Sequence, residues 1–186
     1  MSVLSSGQSA DDPPRKWRIE ALSDRHDLAG FVCRVEFLDK YVNYAKRNQE
    51  LGYGRTYVGL DANDHVCGYS TIAMGHVFFD HLPDNLKRRA PKYPMPAALL
   101  CCLAVATPCQ KSGLGTLLLM DALHHMVQAS EIIAARVVEV LAISKEAKNW
   151  YSRFGFLPFL DDELHLYLPM DTVRTTIQGD LSKPSR

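Results

Sequence analysis

The residue types best suited to bind an anion occur together in the run Gln110-Lys111-Ser112-Gly113-Leu114-Gly115. The almost wholly apolar segment Ala97 to Ala106 precedes this run and predicts a buried strand, and the apolar pattern from Gly113 to Ala129 predicts a helix after it. Glycines let a backbone turn tightly and bring its N–H groups near a ligand, while a helix N-terminus adds unpaired donors and a partial positive charge. Lys111 adds a full positive charge. The run predicts a phosphate-binding turn, and the alternative is a strand-to-helix turn in which glycine serves geometry only.

Two other kinds of phosphate loop do not fit this run. A Walker A loop needs Lys and then Ser or Thr directly after its last glycine, but Thr116 and Leu117 follow Gly115. A dinucleotide-binding fingerprint needs a third glycine, and Leu118 occupies that position. Neither loop is therefore present.

A second segment with reactive potential is Ala147-Lys148-Asn149-Trp150-Tyr151-Ser152-Arg153-Phe154-Gly155-Phe156. Ser144 is suited to cap a short helix from Lys145 to Arg153, and Gly155 is suited to end it. Tyr151 carries a phenol with an ordinary pKa of about 10, so it can donate a proton at neutral pH. The alternative is that Tyr151 only packs against the helix face.

Other reactive residue types do not form a recognisable site. The five cysteines include no C-x-x-C pair, and the adjacent Cys101 and Cys102 would point to opposite faces of a strand, so they cannot share a metal ion. His124 and His125 are neighbours on the predicted helix and do not share a face. A nucleophile elbow of the G-x-S-x-G type is missing. We therefore expect no metal ion and no serine-hydrolase chemistry.

The composition predicts one globular domain. The chain has 186 residues, of which 47% are hydrophobic, and its 21 basic residues balance 21 acidic residues. Contact with nucleic acid would therefore need a local basic patch. There is no apolar run of bilayer length and no secretory signal pattern, and the cysteine usage indicates a reducing compartment. We predict a cytoplasmic protein that is not embedded in a membrane, with a flexible leader at 1–14, one domain at 15–172 and a C-terminal tail at 173–186.

The elements that would position these residues change type along the chain. The patterns predict a strand from Lys16 to Leu22, a helix from Phe37 to Glu50, and a hairpin of Thr56 to Leu60 with Val66 to Val77. A proline-rich excursion from His81 to Pro96 then leads into the buried strand. Further strands follow at Arg136 to Ile143 and Leu164 to Leu168. Because helices intervene mainly in the second half, this order predicts an α/β fold with a mixed sheet (α+β) rather than a doubly wound one.

Three segments in this order resemble the GNAT superfamily of acetyltransferases: Leu103-Ala104-Val105, the glycine run, and the segment Ala147 to Phe156. The resemblance implies a GNAT fold, in which a mostly antiparallel central sheet splays at the cofactor site and is flanked by helices. It implies acetyl-CoA as the cofactor. The implied cofactor-binding residues are Leu103, Ala104, Val105, Gln110, Lys111, Ser112, Gly113, Leu114, Gly115, Thr116 and Asn149.

The resemblance also implies a mechanism. The pantetheine arm would pair with the backbone at Leu103 and Val105, and an unprotonated amine would attack the thioester carbonyl directly. The N–H of Val105 would stabilise the tetrahedral oxyanion. Tyr151 would act as the general acid that protonates the departing CoA thiolate.

The chain resembles one branch of the superfamily more closely, over Phe31 to Met170. The most specific feature of this resemblance is the segment Tyr93-Pro94-Met95-Pro96, which leads into the central strand. This branch contains the toxins of bacterial toxin–antitoxin pairs, which acetylate the α-amine of aminoacyl-tRNA and so block translation. The resemblance implies aminoacyl-tRNA as the substrate, and a small ribbon–helix–helix-type antitoxin and a second copy of the chain as partners. The alternatives are acetylation of a protein or small-molecule amine, and a protein of the same fold that binds acyl-CoA without turnover.

Basic side chains just before the central strand fit an RNA substrate. Lys87, Arg88, Arg89 and Lys92 form this cluster and are the predicted tRNA-binding residues. The amine of an aminoacyl ester is less basic than an ordinary α-amine, whose pKa is about 7.7–8.0. Much of it is therefore unprotonated at neutral pH, and no strong general base is required.

Three positions depart from the pattern of the toxin branch. Cys102 stands where an arginine is usual, and Lys111 and Arg34 each stand where a glycine is usual. Loss of the arginine predicts weaker contact with tRNA or a less ordered active site. The resemblance is therefore firmer for the cofactor than for the acceptor.

Overall fold

The computed structural model describes residues 16–88 and 90–181, so the predicted leader at 1–14 lies outside the described residues. Within these ranges the strands are β1 (Arg18–Ala21), β2 (Arg55–Leu60), β3 (Val66–Val77), β4 (Met95–Val105), β5 (Val137–Leu141), β6 (Leu157–Pro158) and β7 (His165–Pro169). The α-helices are α1 (Glu36–Tyr41), α2 (Ala45–Glu50), α3 (Asp84–Lys87), α4 (Leu114–Ser130), α5 (Lys145–Ser152) and α6 (Met170–Leu181). None of these helices is both long and apolar enough to cross a bilayer.

All the described strands belong to one sheet, in the order β1-β2-β3-β4-β5-β7-β6. Neighbouring strands are antiparallel except for β4 and β5, which are parallel. A parallel pair needs a crossover connection, and α4 supplies it. The mixed, mostly antiparallel sheet predicted from the sequence is confirmed.

The sheet opens in its middle, between β4 and β5. The two strands pair only from Ala97 with Val137 to Leu100 with Val140. On its other edge β4 pairs with β3 throughout, but there Thr71 faces Cys102 and Ile72 faces Leu100, so Cys101 is an extra residue. A bulge of this kind bends its strand. The bend coincides with the place where β5 separates from β4.

The bulge also changes which residues of β4 point to each face. Ala98 and Leu100, before it, belong to a core cluster with residues of α4, α5 and α6. Cys102 and Ala104, after it, belong to a second core cluster with residues of α1 and α2. Since successive residues of a strand alternate between faces, one inserted residue exchanges them. Helices thus cover both faces of β4, as its apolar sequence predicts.

Most predicted elements form within a few residues of their expected limits. The helix expected from Phe37 to Glu50 is interrupted by a 3-10 turn at Val42–Tyr44, between α1 and α2. α5 begins after Ser144, whose hydroxyl accepts a hydrogen bond from the Ala147 N–H (3.2 Å), as expected of a cap.

The prediction that changes most is the C-terminal tail at 173–186. α6 begins at Met170 and continues to Leu181, and Val173 and Ile177 are buried in the same core cluster as α4. These two apolar residues are four apart, so they lie on one side of the helix. Burial of that side packs residues 173–177, which the sequence assigned to a tail, against the domain core as part of a helix.

Candidate active site

A cavity of about 810 Å³ lies where β4 and β5 separate. The last residues of β4, the glycine run, the first turn of α4, the end of β5 and one side of α5 form its walls. It brings together two segments that are about forty residues apart in the chain, the glycine run and the helix that carries Tyr151. The predicted cofactor and catalytic residues that line it are Leu103, Val105, Gln110, Lys111, Gly113, Gly115, Thr116 and Tyr151.

The open edge of β4 presents unpaired backbone donors to this cavity. The N–H of Ala106 donates to the carbonyl of Cys67 on β3 (2.8 Å), so the backbone polar groups of Ala106 point towards β3. Because these groups alternate along a strand, those of Val105 and Leu103 point to the opposite edge, where β5 has separated. An extended ligand can pair with this edge as an additional strand would.

The glycine run is held in place mainly by its own side chains. The amide of Gln110 donates to the carbonyl of Val105 (3.1 Å) and to that of Cys33 (3.3 Å), and the Ser112 hydroxyl donates to the carbonyl of Cys109. Gly113 has a φ of 89°, a left-handed conformation that favours glycine. It is the N-cap of α4, and no side chain caps this helix start. The N–H groups of the first turn are therefore available to an anion.

Tyr151 lies on α5 with its ring almost buried, at 7% exposure. The ring of Trp150 packs edge-on against it with centroids 4.9 Å apart, and the ring of Phe156 does so at 5.4 Å. Burial raises the pKa of Tyr151 above its ordinary value, and the neighbouring Cys102 adds to this shift. The phenol therefore keeps its proton at neutral pH, as a proton donor must.

Four predicted cofactor-binding side chains do not line the cavity. Leu114 and Ala104 are buried in the core on opposite sides of the sheet, and Ser112 is engaged with the backbone of its own turn. Asn149 is exposed on α5 and does not contribute to the cavity wall. Ser112 and Leu114 can still contribute their backbone N–H groups.

The predicted tRNA-binding cluster lies apart from the cavity, because it precedes the start of β4 and the cavity is at the other end of that strand. The ammonium of Lys87 donates to the carbonyl of Asp80 (3.2 Å) and lies 5.7 Å from the ring centre of Phe79. Arg88 and Lys92 are exposed, and Arg89 lies outside the described residues.

Several residues of the cavity wall were not predicted. Arg153 adds a second positive charge to the cavity that Lys111 also lines, and Trp150 adds an aromatic surface to its wall. Both belong to the segment Ala147 to Phe156 that carries Tyr151, so the sequence pattern could have indicated that they line the same cavity. Phe37 and Leu38 of α1 also line the cavity, and only the tertiary structure brings them there.

Two of the positions that depart from the toxin branch have left-handed backbone. Lys111 has a φ of 58° and Arg34 a φ of 69°. A residue with a Cβ incurs a steric penalty in this region, whereas glycine does not. The left-handed backbone therefore explains why glycine is usual at these two positions. This chain has the same left-handed backbone there with Lys111 and Arg34 in place of glycine.

The cysteines lie in apolar surroundings. Cys33, Cys67 and Cys102 are buried, and burial raises the pKa of Cys102 to about 12, so its thiol stays neutral. Among residues 16–88 and 90–181, no group of three or more His, Cys, Asp and Glu side chains is arranged to hold a metal ion.

Comparison with known proteins identifies the family. Residues 22–156 match the Acetyltransferase (GNAT) family. A protein of Mycobacterium tuberculosis (strain ATCC 25618 / H37Rv) named tRNA-acetylating toxin is 36% identical over 176 residues, which cover 94% of this chain and 99% of that protein.

Solved structures share the fold. AtaT complexed with acetyl-methionyl-tRNAfMet matches with a TM-score of 0.78 and 24% identity, over 86% of this chain and 98% of that one. A tyrosine-to-phenylalanine mutant of the toxin AtaT, bound to the C-terminus of the antitoxin AtaR and acetyl-CoA, matches with a TM-score of 0.72 and 24% identity, over 87% and 98%. The family match covers more than half of the chain, and the M. tuberculosis relative covers nearly all of it. The chain therefore belongs to the GNAT family of acetyl-CoA-dependent acetyltransferases.

Proposed function

We propose that this enzyme transfers the acetyl group of acetyl-CoA to the α-amine of an aminoacyl-tRNA. The observation that carries the proposal is the 36% identity, over almost the whole length of both chains, to a tRNA-acetylating toxin. The cavity between β4 and β5 supports it. Its wall offers backbone donors and positive charge that suit the pyrophosphate of acetyl-CoA, and an open strand edge that suits the pantetheine arm.

The glycine run is suited to the pyrophosphate of the cofactor. The free N–H groups at the start of α4 are hydrogen-bond donors, and Lys111 and Arg153 supply charge at the same cavity. The pantetheine arm has amide groups that can pair with the open edge of β4 at Leu103 and Val105. Its thiol end then lies towards the bulge at Cys101, between the two strands.

The reaction needs few protein groups. The amine nitrogen attacks the thioester carbonyl, and the N–H of Val105 on the open edge of β4 stabilises the oxyanion. The C–S bond then breaks, and the thiolate takes a proton from the Tyr151 hydroxyl. The raised pKa of Tyr151 keeps that proton available across the neutral range.

The RNA would be held by the loop between β3 and β4. Its exposed cations, Arg88 and Lys92, are local positive charges on a chain whose net charge is zero. Lys92 also lines a shallow pocket with the exposed ring of Tyr93, which offers a surface for stacking of an unpaired base. Arg89, which lies outside the described residues, is included in this proposed surface.

The biological setting follows from the same relatives. We infer that the enzyme is a cytoplasmic toxin that blocks translation, that a small antitoxin of the ribbon–helix–helix type neutralises it, and that two copies form a dimer. The complex of AtaT with the antitoxin AtaR supports an antitoxin partner by analogy. A dimer would pool the basic loops of two neutral chains.

The test is to incubate the purified protein with labelled acetyl-CoA and total charged tRNA. Label should appear on the aminoacyl end, and mild alkaline hydrolysis of the ester before the reaction should abolish the labelling. Tyr151→Phe should bind acetyl-CoA and transfer little label. If labelling is the same with charged and deacylated tRNA, or appears only on added protein or small amines, the proposed substrate is wrong.

A further inference from the structure

One part of the cavity wall consists only of apolar and uncharged side chains, and we call it the apolar wall. Helix α1, the bulge of β4, and the end of β5 with the residues just after it contribute to it. Its members are Phe37, Leu38, Cys101, Cys102, Leu141 and Ile143. They come from three separate segments of the chain, so only the fold brings them to one cavity.

The apolar wall lies on the opposite side of the sheet from helix α5. Val140 of β5 belongs to the core cluster that contains Tyr151 and residues of α4 and α6. Successive residues of a strand point to alternate faces, so Leu141 points away from that cluster. Leu38 and Cys102 belong to the core cluster of α1 and α2, on the other side of the sheet. The cavity thus has α5 on one side and the apolar wall on the other.

Half of the apolar wall is uncovered. The exposed fraction is 61% for Phe37, 63% for Leu141 and 54% for Ile143, whereas Leu38 and Cys102 are almost buried. Large apolar side chains that are exposed together around a cavity mark a place where a ligand binds. A ligand group that covered these three side chains would remove apolar surface from water, which favours binding.

The apolar wall offers no partner to a charged ligand group. Burial raises the pKa of Cys101 to about 11 and that of Cys102 to about 12, so both thiols are neutral. Among the described residues that line the cavity, the charged ones are Lys111, in the glycine run, and Arg153, at the end of α5. In the proposed complex both face the pyrophosphate. A charged group placed against the wall would therefore lose hydration without gaining a partner.

The carboxylate next to the wall on β5 is already engaged. Glu139 is two residues before Leu141 on the same face of the strand, and it does not line the cavity. Its carboxylate lies 3.5 Å from Nε2 of His165, and Nδ1 of the same ring lies 2.9 Å from Asp161. These groups pair with one another, so they leave the wall apolar.

An acceptor has to reach the thioester from the side of the apolar wall. In the proposed complex the pantetheine arm fills the opening between β4 and β5, and the packed core of α4, α5 and α6 closes the other side of the sheet. In an aminoacyl ester, the carbon that carries the amine also carries the side chain of the amino acid. When the amine nitrogen meets the thioester carbonyl, this side chain therefore lies against the apolar wall.

We propose that the apolar wall selects acceptors whose amino acid has an apolar side chain, such as leucine or methionine, and that Phe37, Leu141 and Ile143 make the contact. The inference rests on the proposed function for the aminoacyl ester and adds the class of amino acid. Leucine buries its side chain there, whereas glycine has none to bury. Asparagine and aspartate have nearly the shape of leucine, but they lose the hydration of a polar or charged group without a partner.

The experiment charges one tRNA with different amino acids by means of a ribozyme, so that only the amino acid varies. It measures kcat/KM for transfer of label from acetyl-CoA. Leucyl-tRNA should exceed asparaginyl-tRNA, aspartyl-tRNA and glycyl-tRNA by about 10²-fold each, since a single methylene in an apolar pocket is worth about 10–200-fold.

Leu141→Lys tests the wall directly, and its exposed position tolerates the change. The variant should lower kcat/KM for leucyl-tRNA by about 10-fold and raise it for aspartyl-tRNA, to which the lysine offers a partner. Leu160→Lys is the matched control, because Leu160 is 62% exposed and does not line the cavity. Its lysine should affect all charged tRNAs alike. Each variant is compared with the wild type on the same acceptors, so differences in amine basicity cancel.

The proposal is overturned if glycyl-, asparaginyl- or aspartyl-tRNA is acetylated as fast as leucyl-tRNA, or if Leu141→Lys changes kcat/KM by the same factor for every acceptor. A change confined to the KM for acetyl-CoA would place the wall against the cofactor and would also overturn it. The methyl esters of leucine, asparagine and glycine are tested in parallel. If the esters are acetylated and charged tRNA is not, the proposed function fails while the same ratios on the esters still decide the selection. Wild-type protein that acetylates neither would contradict both.

Discussion

The two sides of the cleft between β4 and β5 are built in different ways. One part of the wall consists of backbone groups, the open edge of β4 and the N-terminus of α4, both within one stretch of the chain. Another part consists of side chains from two separate helices: Trp150, Tyr151 and Arg153 of α5, and Phe37 and Leu38 of α1. Backbone donors remain when a side chain changes, whereas a surface made of side chains does not. The backbone part should therefore tolerate substitution better than the side-chain part.

The departures from the toxin branch illustrate this difference. Lys111 and Arg34 occupy left-handed positions where glycine is usual, yet the turn keeps its geometry and the N–H groups of α4 stay uncapped. Cys102 fills a buried site in the α1–α2 core in place of an arginine. It lines the cavity, but its neutral thiol supplies no charge there. Lys111 and Arg34 thus leave the backbone geometry of their turns unchanged, whereas the cavity wall at Cys102 carries no charge.

The largest effect is expected for Tyr151→Phe, which removes the proposed proton donor of the thiolate. Turnover should fall by about 10²–10⁴-fold, the usual contribution of general acid catalysis, while the Kd for acetyl-CoA stays close to that of the wild type. Steady-state release of CoA measures the turnover, and calorimetric titration measures the Kd for acetyl-CoA. Equal loss of binding and turnover would mean that Tyr151 only shapes the cavity.

The next effect is expected for Gly113→Ala at the cofactor turn. The φ of 89° is unfavourable for alanine, and the strain should lower the free energy of unfolding by about 1–2 kcal/mol. Gly30→Ala is a matched control, because Gly30 has a φ of 77° and, like Gly113, nothing within 4 Å of an added Cβ. Urea denaturation should show similar losses for both variants. Only Gly113→Ala should also weaken acetyl-CoA binding, and an equal effect of both on binding would argue against the turn as the pyrophosphate site.

A smaller effect is expected for Lys111→Gly, compared with Arg34→Gly. Both changes relieve a left-handed residue, and each should raise the free energy of unfolding by about 1 kcal/mol or less, since glycine costs more entropy on folding. Lys111→Gly should weaken acetyl-CoA binding because it removes a charge from the cavity, and added salt should reduce the difference from the wild type. Unchanged affinity for Lys111→Gly would show that its side chain points away from the cofactor.

The smallest effect is expected in the pH dependence of stability at His165. Its pKa is raised in the folded state above the unfolded value of 6.5, so the stabilisation is complete below that value and is lost as the pH rises through the folded pKa. The urea midpoint of the wild type should therefore fall over this interval relative to that of His165→Gln. Parallel curves for the two proteins would contradict the pairing with Glu139 and Asp161.

Much of the fold was predictable because its signals are local. The apolar run of β4, the glycines before α4 and the Ser144 cap each depend on neighbouring residues, and the corresponding elements are confirmed. The C-terminal boundary was not predictable in this way. The tail became helix α6 because Val173 and Ile177 meet the core formed by α4, and that surface exists only after folding.

The sequence alone identified the family, and it predicted the cofactor turn and the proton donor, because all three depend on residues that are close together in the chain. Only the tertiary structure decided three further features. The bulge at Cys101 coincides with the opening of the sheet beside Leu103 and Val105, the basic loop lies at the far end of β4 from the cavity, and Glu139 meets His165 across two strands. Each depends on how the strands pair, because strand pairing decides which residues become neighbours across the sheet. Residues adjacent in the sequence do not reveal that pairing.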